Sequence, residues 1–215
     1  MKERDVIQFV NYTKKFNNDV ILDNINISFK EGGFYGIVGR NGSGKSVLFK
    51  AICGFIKPTV GDVRVNDITI GKDIDFPEGV GALIEKPGFL PNYSGFKNLE
   101  FLASINNKIG EKEISDSLKL VGLPVINDKS VKNYSLGMKQ RLGIAQAIME
   151  DPDIIILDEP MNGLDKDGVK LIKDKLKELH TKGKTIIISS HIESDIEDLC
   201  DKVFKVECGS IELIN

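Results

Sequence analysis

The 215-residue sequence has little cysteine, no long apolar run and no excess of either charge, and each absence excludes a class of protein. The cysteines Cys53, Cys200 and Cys208 follow no metal-ligand or disulfide spacing, which favours a reducing compartment. No stretch approaches the roughly 18 apolar residues of a membrane-spanning helix, and the amino terminus lacks a secretory signal. The net charge of −3 argues against nucleic acid as a partner. We therefore expect a cytoplasmic protein that reaches a membrane only through a partner.

Short apolar segments of two kinds run along the chain. Continuous or alternating apolar residues predict strands over 6–10, 25–29, 34–38, 62–65, 79–84, 154–157 and 185–188. Helical spacing predicts helices over 46–52, 96–105, 113–121, 138–149 and 169–179, the last one after Asp165 as N-cap. The runs at 154–157 and 185–188 suit strands buried on both faces of a parallel sheet. The helix between them predicts a right-handed crossover unit.

The segment at 39–46, Gly-Arg-Asn-Gly-Ser-Gly-Lys-Ser, joins the strand at 34–38 to the next helix. This is the P-loop pattern, in which glycines let backbone N–H groups wrap a triphosphate in front of a helix N-terminus. Lys45 is predicted to reach the β- and γ-phosphates, and Ser46 to ligate Mg²⁺. We expect ATP to be bound by Gly39, Arg40, Asn41, Gly42, Ser43, Gly44, Lys45 and Ser46. A glycine-rich turn with a solvated lysine is the alternative.

Two acids, Asp158 and Glu159, follow the strand at 154–157. Phosphoryl transfer to water depends on positioning and electrostatics, so a second acidic element is expected at a strand end beside the loop. Asp158 is predicted to hold Mg²⁺ through a water, and Glu159 to polarise the attacking water as general base. Two solvated acids at a strand end are the alternative.

These segments indicate an α/β fold. We predict a P-loop NTPase core with a parallel sheet, an N-terminal antiparallel β subdomain and an inserted helical subdomain. Residues 1–87 and 152–215 would form the nucleotide-binding core, and 88–151 the helical subdomain, within one unit of 1–215.

Three segments carry a family resemblance: Tyr-Ser-Leu-Gly-Met-Lys-Gln-Arg at 134–141, Asp-Glu-Pro-Met-Asn-Gly-Leu-Asp at 158–165, and Ser-Ser-His at 189–191. In this order they resemble the signature, Walker B, D-loop and H-loop motifs of ATP-binding cassette (ABC) proteins. The resemblance implies a head-to-tail dimer with a second copy or a paralogous cassette, in which each ATP lies between one P-loop and the other subunit's signature. It assigns nucleotide contacts to Ser135, Gly137, Met138 and Asp165. An ordinary helix N-terminus is the plain alternative for Ser135 and Gly137.

The resemblance also assigns roles in ATP binding to two aromatic side chains, His191 and Phe16. His191 would hydrogen-bond the γ-phosphate and hold the catalytic geometry, so that Lys45, Glu159 and His191 form the catalytic set; a core or surface histidine is the alternative. Phe16 would stack on adenine, because stacking requires only a π-face. The alternatives are Tyr12 as the stacking ring, or a Phe16 that serves the core.

The sequence departs from the commonest cassette pattern at Glu85, where most cassettes have a glutamine, and at Leu136 and Met138 in the signature. We expect Glu85 to be a third Mg²⁺ ligand, next to Ser46 and Asp158; a surface acid is the alternative. These departures, with Pro-Gly-Phe at 87–89, look like the cassettes of bacitracin-type and lantibiotic self-protection transporters. That subgroup expels peptide antibiotics at the membrane.

The resemblance implies an ATPase that powers a separately encoded membrane permease from the cytoplasmic face. A cytoplasmic helix of the permease would dock in the groove around 85–96, where Phe89, Leu90 and Tyr93 supply apolar surface. A soluble ABC ATPase that remodels a macromolecular assembly is the alternative. A neighbouring gene for about six spanning helices would favour the transporter.

Overall fold

The computed structural model describes residues 4–125, 129–191 and 196–215. Strands within these ranges are β1 Asp5–Phe16, β2 Asp19–Lys30, β3 Phe34–Val38, β4 Val60–Val65, β5 Ile68–Thr69, β6 Val80–Leu83, β7 Ile154–Leu157, β8 Thr185–Ser190, β9 Lys202–Glu207 and β10 Ser210–Leu213. Helices within them are α1 Lys45–Ile52, α2 Gly95–Asn106, α3 Glu111–Leu120, α4 Leu136–Ile148 and α5 Lys166–Thr181, with a 3₁₀ turn at Val131–Asn133. No helix of the described residues is long and apolar enough to cross a membrane.

The described strands form two sheets. One is antiparallel with the order β2-β1-β4-β5, and the other has the order β10-β9-β3-β8-β7-β6. In the second sheet β9, β3, β8, β7 and β6 run parallel, and β10 pairs antiparallel with β9. Every residue of β3, β7 and β8 is buried, which explains the apolar runs at 34–38, 154–157 and 186–188.

Two apolar clusters lie on opposite faces of the second sheet. Phe34 and Val38 of β3 pack into a cluster with α2–α5, whereas Tyr35 and Ile37 pack into one with α1 and the antiparallel sheet. Successive strand side chains point to opposite faces, so a single strand contributes to both cores. The result is that α1 is held between the two sheets.

The α/β class, the parallel core and the antiparallel β unit agree with the sequence prediction. Helices α2, α3 and α4 fall within the predicted insertion 88–151, whose status as a separate subdomain stays a prediction. Asp165 is the predicted N-cap of α5, and its carboxylate accepts from the Gly168 N–H at 2.9 Å.

The sequence analysis missed β5, which has only two residues, and the strands β9 and β10. Charged residues interrupt β9 and β10, and β10 has no fully buried residue, so neither shows a clear apolar period. The strands predicted at 6–10 and 25–29 are shorter than β1 and β2, because the exposed ends of these two strands carry polar residues.

Glycine at position 81 is required by the close packing of β6 on α4. A Cβ atom at Gly81 would lie 1.8 Å from the Ala147 carbonyl oxygen. We therefore expect Gly81→Ala to lower the free energy of unfolding by about 1–3 kcal/mol, the usual cost of overpacking. Urea denaturation measures this.

The matched control is Gly88→Ala, since a Cβ there meets no described atom within 4 Å. Its free energy of unfolding should stay within about 0.5 kcal/mol of wild type. Equal stability of the two variants would contradict the packing of β6 on α4.

Candidate active site

The carboxyl ends of three neighbouring parallel strands meet at one edge of the second sheet. β3 leads into the glycine loop at 39–44, β7 into Asp158 and Glu159, and β8 ends two residues after Ile188, before His191. In open parallel sheets this edge is where ligands bind. Segments more than 100 residues apart in sequence are thereby brought together.

Backbone geometry shapes the glycine loop. Gly44 precedes α1 with φ of 111°, a conformation that favours glycine and turns the chain into the helix. A Cβ at Gly39 would lie 2.5 Å from the Val206 carbonyl oxygen, so the loop can pass β9 only without a side chain. The loop is thus free to curl in front of the N-terminus of α1, as phosphate binding requires.

The Lys45 ammonium group lies under the loop, and its side chain is 6% exposed. Its Nζ donates to the carbonyl oxygens of Gly39 at 2.7 Å and Arg40 at 3.3 Å, and is 3.6 Å from Glu159 Oε1. A buried cation facing backbone carbonyls and one carboxylate is well placed to exchange these partners for phosphate oxygens.

Asp158 is held by two hydroxyl groups. Ser46 Oγ donates to Oδ2 at 2.5 Å, and Ser189 Oγ donates to Oδ1 at 2.6 Å. Hydroxyl and carboxylate oxygens are the hard ligands that Mg²⁺ prefers, so Ser46 and Asp158 fit that ion. Among the described residues, no group of three or more His, Cys, Asp or Glu forms a metal site.

Glu159 adopts a left-handed backbone conformation with φ of 51°. Its N–H donates to Ser189 Oγ at 2.8 Å, and its Oε2 lies 2.8 Å from His191 Nδ1 and accepts from the His191 N–H at 3.3 Å. Oε1 is buried and has no hydrogen-bond partner within the described part of the chain. Glu159 therefore offers one fixed carboxylate oxygen that accepts no hydrogen bond from that part of the chain and has the Lys45 ammonium group at 3.6 Å, an arrangement that suits a general base.

A cavity of about 320 Å³ opens beside the glycine loop; its lining includes Phe16, Ile21, Lys45, Ser46 and Glu159. The Phe16 ring is 44% exposed, and Lys14 Nζ lies 4.9 Å from its centroid.

Tyr12, the alternative stacking ring, is fully buried and packs edge-on against Phe9 at 5.1 Å. Burial raises the pKa of the Tyr12 hydroxyl to about 12. Only Phe16 of the two rings faces the cavity; its stacking role stays a prediction.

Three residues of the signature, Ser135, Gly137 and Met138, lie elsewhere. Ser135 is the N-cap of α4, and its hydroxyl accepts from the Met138 N–H at 3.2 Å. These three residues line neither of the two cavities beside the glycine loop. Asp165 caps α5 and lies 3.7 Å from Arg141 Nη2. One copy of the chain thus brings the loop, the acids and His191 together but leaves Ser135, Gly137 and Met138 outside those cavities.

Glu85 borders a second groove of about 450 Å³, which it shares with Asp158 and Glu159. Its carboxylate forms an ion pair with Lys50 of α1, and its side chain is 62% exposed. The structure therefore places Glu85 beside the acids with a cation already paired to it. Its role as a Mg²⁺ ligand stays a prediction.

Sequence reasoning missed Ser189, Gln140 and Lys50. Ser189 bridges Asp158 and the Glu159 N–H, Gln140 donates to the Glu159 carbonyl, and Lys50 pairs with Glu85. The place of Ser189 near the end of a predicted strand was a usable signal. The other two contacts join distant segments, and no local pattern reveals them.

Comparisons with known proteins fit this geometry. The ABC transporter family matches residues 22–162. The uncharacterized ABC transporter ATP-binding protein YybJ of Bacillus subtilis (strain 168) is 44% identical over 207 residues, which cover 96% of this chain and 95% of YybJ. The bacitracin transport ATP-binding protein BcrA of Enterococcus faecalis is 41% identical, over 92% of this chain and 65% of BcrA. The lantibiotic transport ATP-binding protein SrtF of Streptococcus pyogenes is 35% identical, over 97% of this chain and 90% of SrtF.

Solved structures give the same result. The dimeric structure of MJ0796, a bacterial ABC transporter cassette, has a TM-score of 0.85 and 27% identity, over 96% of each chain. Its dimeric post-hydrolysis state with ADP and phosphate has a TM-score of 0.85 and 26% identity, over 97% of this chain and 99% of that one. The cassette fold and the family resemblance are both confirmed.

If Glu85 acts on Mg²⁺, removing its charge should shift the metal dependence of the reaction. We expect Glu85→Gln to change the Mg²⁺ concentration at half-maximal ATPase rate by about threefold or more, because a carboxylate attracts the ion more strongly than an amide. A Mg²⁺ titration at saturating ATP measures this.

Glu78→Gln removes the same charge from an exposed residue outside the groove, and should match wild type. An unchanged rate and unchanged Mg²⁺ dependence in Glu85→Gln would make Glu85 a surface acid.

Proposed function

The chain belongs to the ABC transporter family, and we propose that it is the ATP-hydrolysing subunit of a transporter whose membrane-spanning part is a separate chain. The observation that carries the proposal is the fixed Glu159 carboxylate, 3.6 Å from the buried Lys45 ammonium group at the mouth of the glycine loop. That pair supplies a base for water and a cation for phosphate at one strand edge.

Each of the residues at this edge of the sheet has its own role in binding ATP. Lys45 and the loop N–H groups bind the β- and γ-phosphates, Ser46 and Asp158 hold Mg²⁺, and Phe16 supports adenine. The bound metal would neutralise charge that develops on the phosphates.

Hydrolysis then proceeds by water addition to the γ-phosphorus. The water oxygen bonds to phosphorus, the bond to the β–γ bridging oxygen breaks, and ADP leaves. Glu159 Oε1 takes the water proton, while His191 holds Oε2 through its 2.8 Å contact. The products are ADP and inorganic phosphate.

A second cassette would complete the site. Ser135, Gly137 and Met138 lie at the N-terminus of the 13-residue helix α4, outside the cavities beside their own loop. A helix N-terminus with free N–H groups favours a phosphate. We infer that they contact the γ-phosphate of the partner in a head-to-tail dimer; the related cassette MJ0796 was solved as a dimer.

The permease would dock beside α2. Leu90 is 48% exposed, Tyr93 is 46% exposed, and the Tyr93 ring packs edge-on against Phe101 at 5.1 Å. Phe89, expected to be exposed as well, is half-buried against the core. A cytoplasmic helix of the permease would cover this surface and hold the chain peripherally at the membrane.

We propose a peptide antibiotic or a similar amphiphile as the exported molecule. BcrA and SrtF are transport proteins for bacitracin and a lantibiotic, and are 41% and 35% identical to this chain. Soluble remodelling of an assembly is the second candidate. Co-purification with a membrane protein, and ATPase activity stimulated by bacitracin or nisin, would favour export; the absence of a membrane partner would favour remodelling.

Glu159→Gln tests the catalytic assignment. Turnover should fall by about 10²-fold or more, because the amide cannot accept the water proton. ATP binding should persist, and an ATP-bound dimer should accumulate and be visible by size-exclusion chromatography with retained nucleotide.

Glu212→Gln, on exposed surface of β10, should match wild type in both measurements. Full turnover in Glu159→Gln would dismiss Glu159 as the base.

A further inference from the structure

Helix α4 contacts the loop that carries the proposed base. The loop at 158–165 connects β7 to α5, and Gln140 of α4 donates from Nε2 to the Glu159 carbonyl oxygen at 3.1 Å. Gln140 is half-buried, so water competes weakly for this bond. The contact joins α4, which begins within the signature, directly to the loop that carries Glu159.

The Glu159 backbone needs such support. A φ of 51° is unfavourable for a residue with a side chain, and persists only where the surroundings fix it. Ser189 Oγ accepts from the Glu159 N–H at 2.8 Å on one side, and Gln140 holds the carbonyl on the other. The Asn162 N–H also donates to that carbonyl, at 3.1 Å. These hydrogen bonds fix the Glu159 backbone, from which the carboxylate reaches His191 through Oε2 at 2.8 Å.

Two further contacts tie α4 to the same loop. Leu136 lies against Gly163, where a Cβ would be 2.6 Å from the leucine side chain. Arg141 Nη2 lies 3.7 Å from Asp165 Oδ1 at the end of the loop. Residues four apart on a helix share a face, so Leu136 and Gln140 reach the loop together. The loop is held at its start, middle and end by the first turns of one helix.

We propose that Gln140 is a positioning residue for Glu159, which it holds through the Glu159 carbonyl oxygen. The proposal rests on the function proposed above, in which Glu159 is the base for the attacking water. Without the Gln140 amide, the peptide groups of Glu159 would keep bonds only to Ser189 and Asn162 among the described residues. Hydrolysis would then slow without a loss of ATP binding.

Gln140→Met tests the role, because methionine keeps the length of the side chain and removes the donor. We expect kcat to fall about tenfold, since a small displacement of a catalytic group is costly. The KM for ATP should change by less than about twofold. The control is Gln146→Met on the same helix, whose amide makes no hydrogen bond among the described residues; it should match wild type.

A double-mutant cycle separates positioning from an independent effect. If Gln140 acts through Glu159, adding Gln140→Met to Glu159→Gln should change the residual rate by less than about twofold. A further loss of about tenfold in the double variant would overturn the proposal. A reduced affinity for a fluorescent ATP analogue, with kcat unchanged, would also overturn it.

Gln140→Glu is a second variant, which keeps the shape but cannot donate to the carbonyl, and should lose as much kcat. Wild-type kcat in either variant, with Glu159→Gln inactive, overturns this proposal alone. Wild-type turnover in Glu159→Gln instead removes the base assignment on which both proposals depend.

Discussion

The parallel pairing of β3, β8 and β7 is the constraint on which the rest of the site depends. Val38 pairs with Ser190, so β3 and β8 end level with each other. Leu157 pairs with Ile188, so β7 ends two residues earlier and the two acids that follow it lie beside the end of β8. All three are buried on both faces, and a slip in register would expose apolar side chains. This register puts Ser189 within 2.6 Å of Asp158 Oδ1 and 2.8 Å of the Glu159 N–H. Burial of the three strands thereby fixes the position of the Glu159 carboxylate, the proposed general base.

Much of the site could be predicted from sequence because its motifs are local. The glycine loop and the acids at 158 and 159 each follow a strand that is recognisable by its apolar residues. The choice between Tyr12 and Phe16 could not be made in this way. They are four residues apart, so an ideal strand would place both on one face. Irregularities in the pairing of β1 with β2, after Phe9, Tyr12 and Lys14, break the alternation, and Tyr12 is buried while Phe16 is exposed.

The contacts that sequence analysis did not predict join residues of different helices, strands and loops. Lys50 meets Glu85 across 35 residues, and Gln140 meets Glu159 across 19. Neither pair has a characteristic spacing, because each depends on how a helix packs on the sheet. The strands β9 and β10 escaped detection for a related reason, since pairing with β3 and packing against β2 support them in place of a strong pattern of their own.

The glycine loop supplies only one part of the proposed nucleotide site. Lys45, Asp158, Glu159 and His191 are grouped at one edge of the sheet, while Ser135 and Gly137 lie apart from them at the start of α4. In the proposed dimer, one copy would hold the triphosphate and the partner's signature would cover the γ-phosphate. ATP would then act as the contact between two copies as well as the substrate.

Mixing two inactive variants tests this account most directly. Lys45→Ala disables the loop of one copy, and Ser135→Ala disables the signature of the other, so in a head-to-tail dimer both defects fall in the same site. The other site is intact, and an equal mixture should recover about a quarter of wild-type ATPase activity, since half of the dimers would be mixed. A mixture no more active than its components would contradict an ATP site shared between two copies.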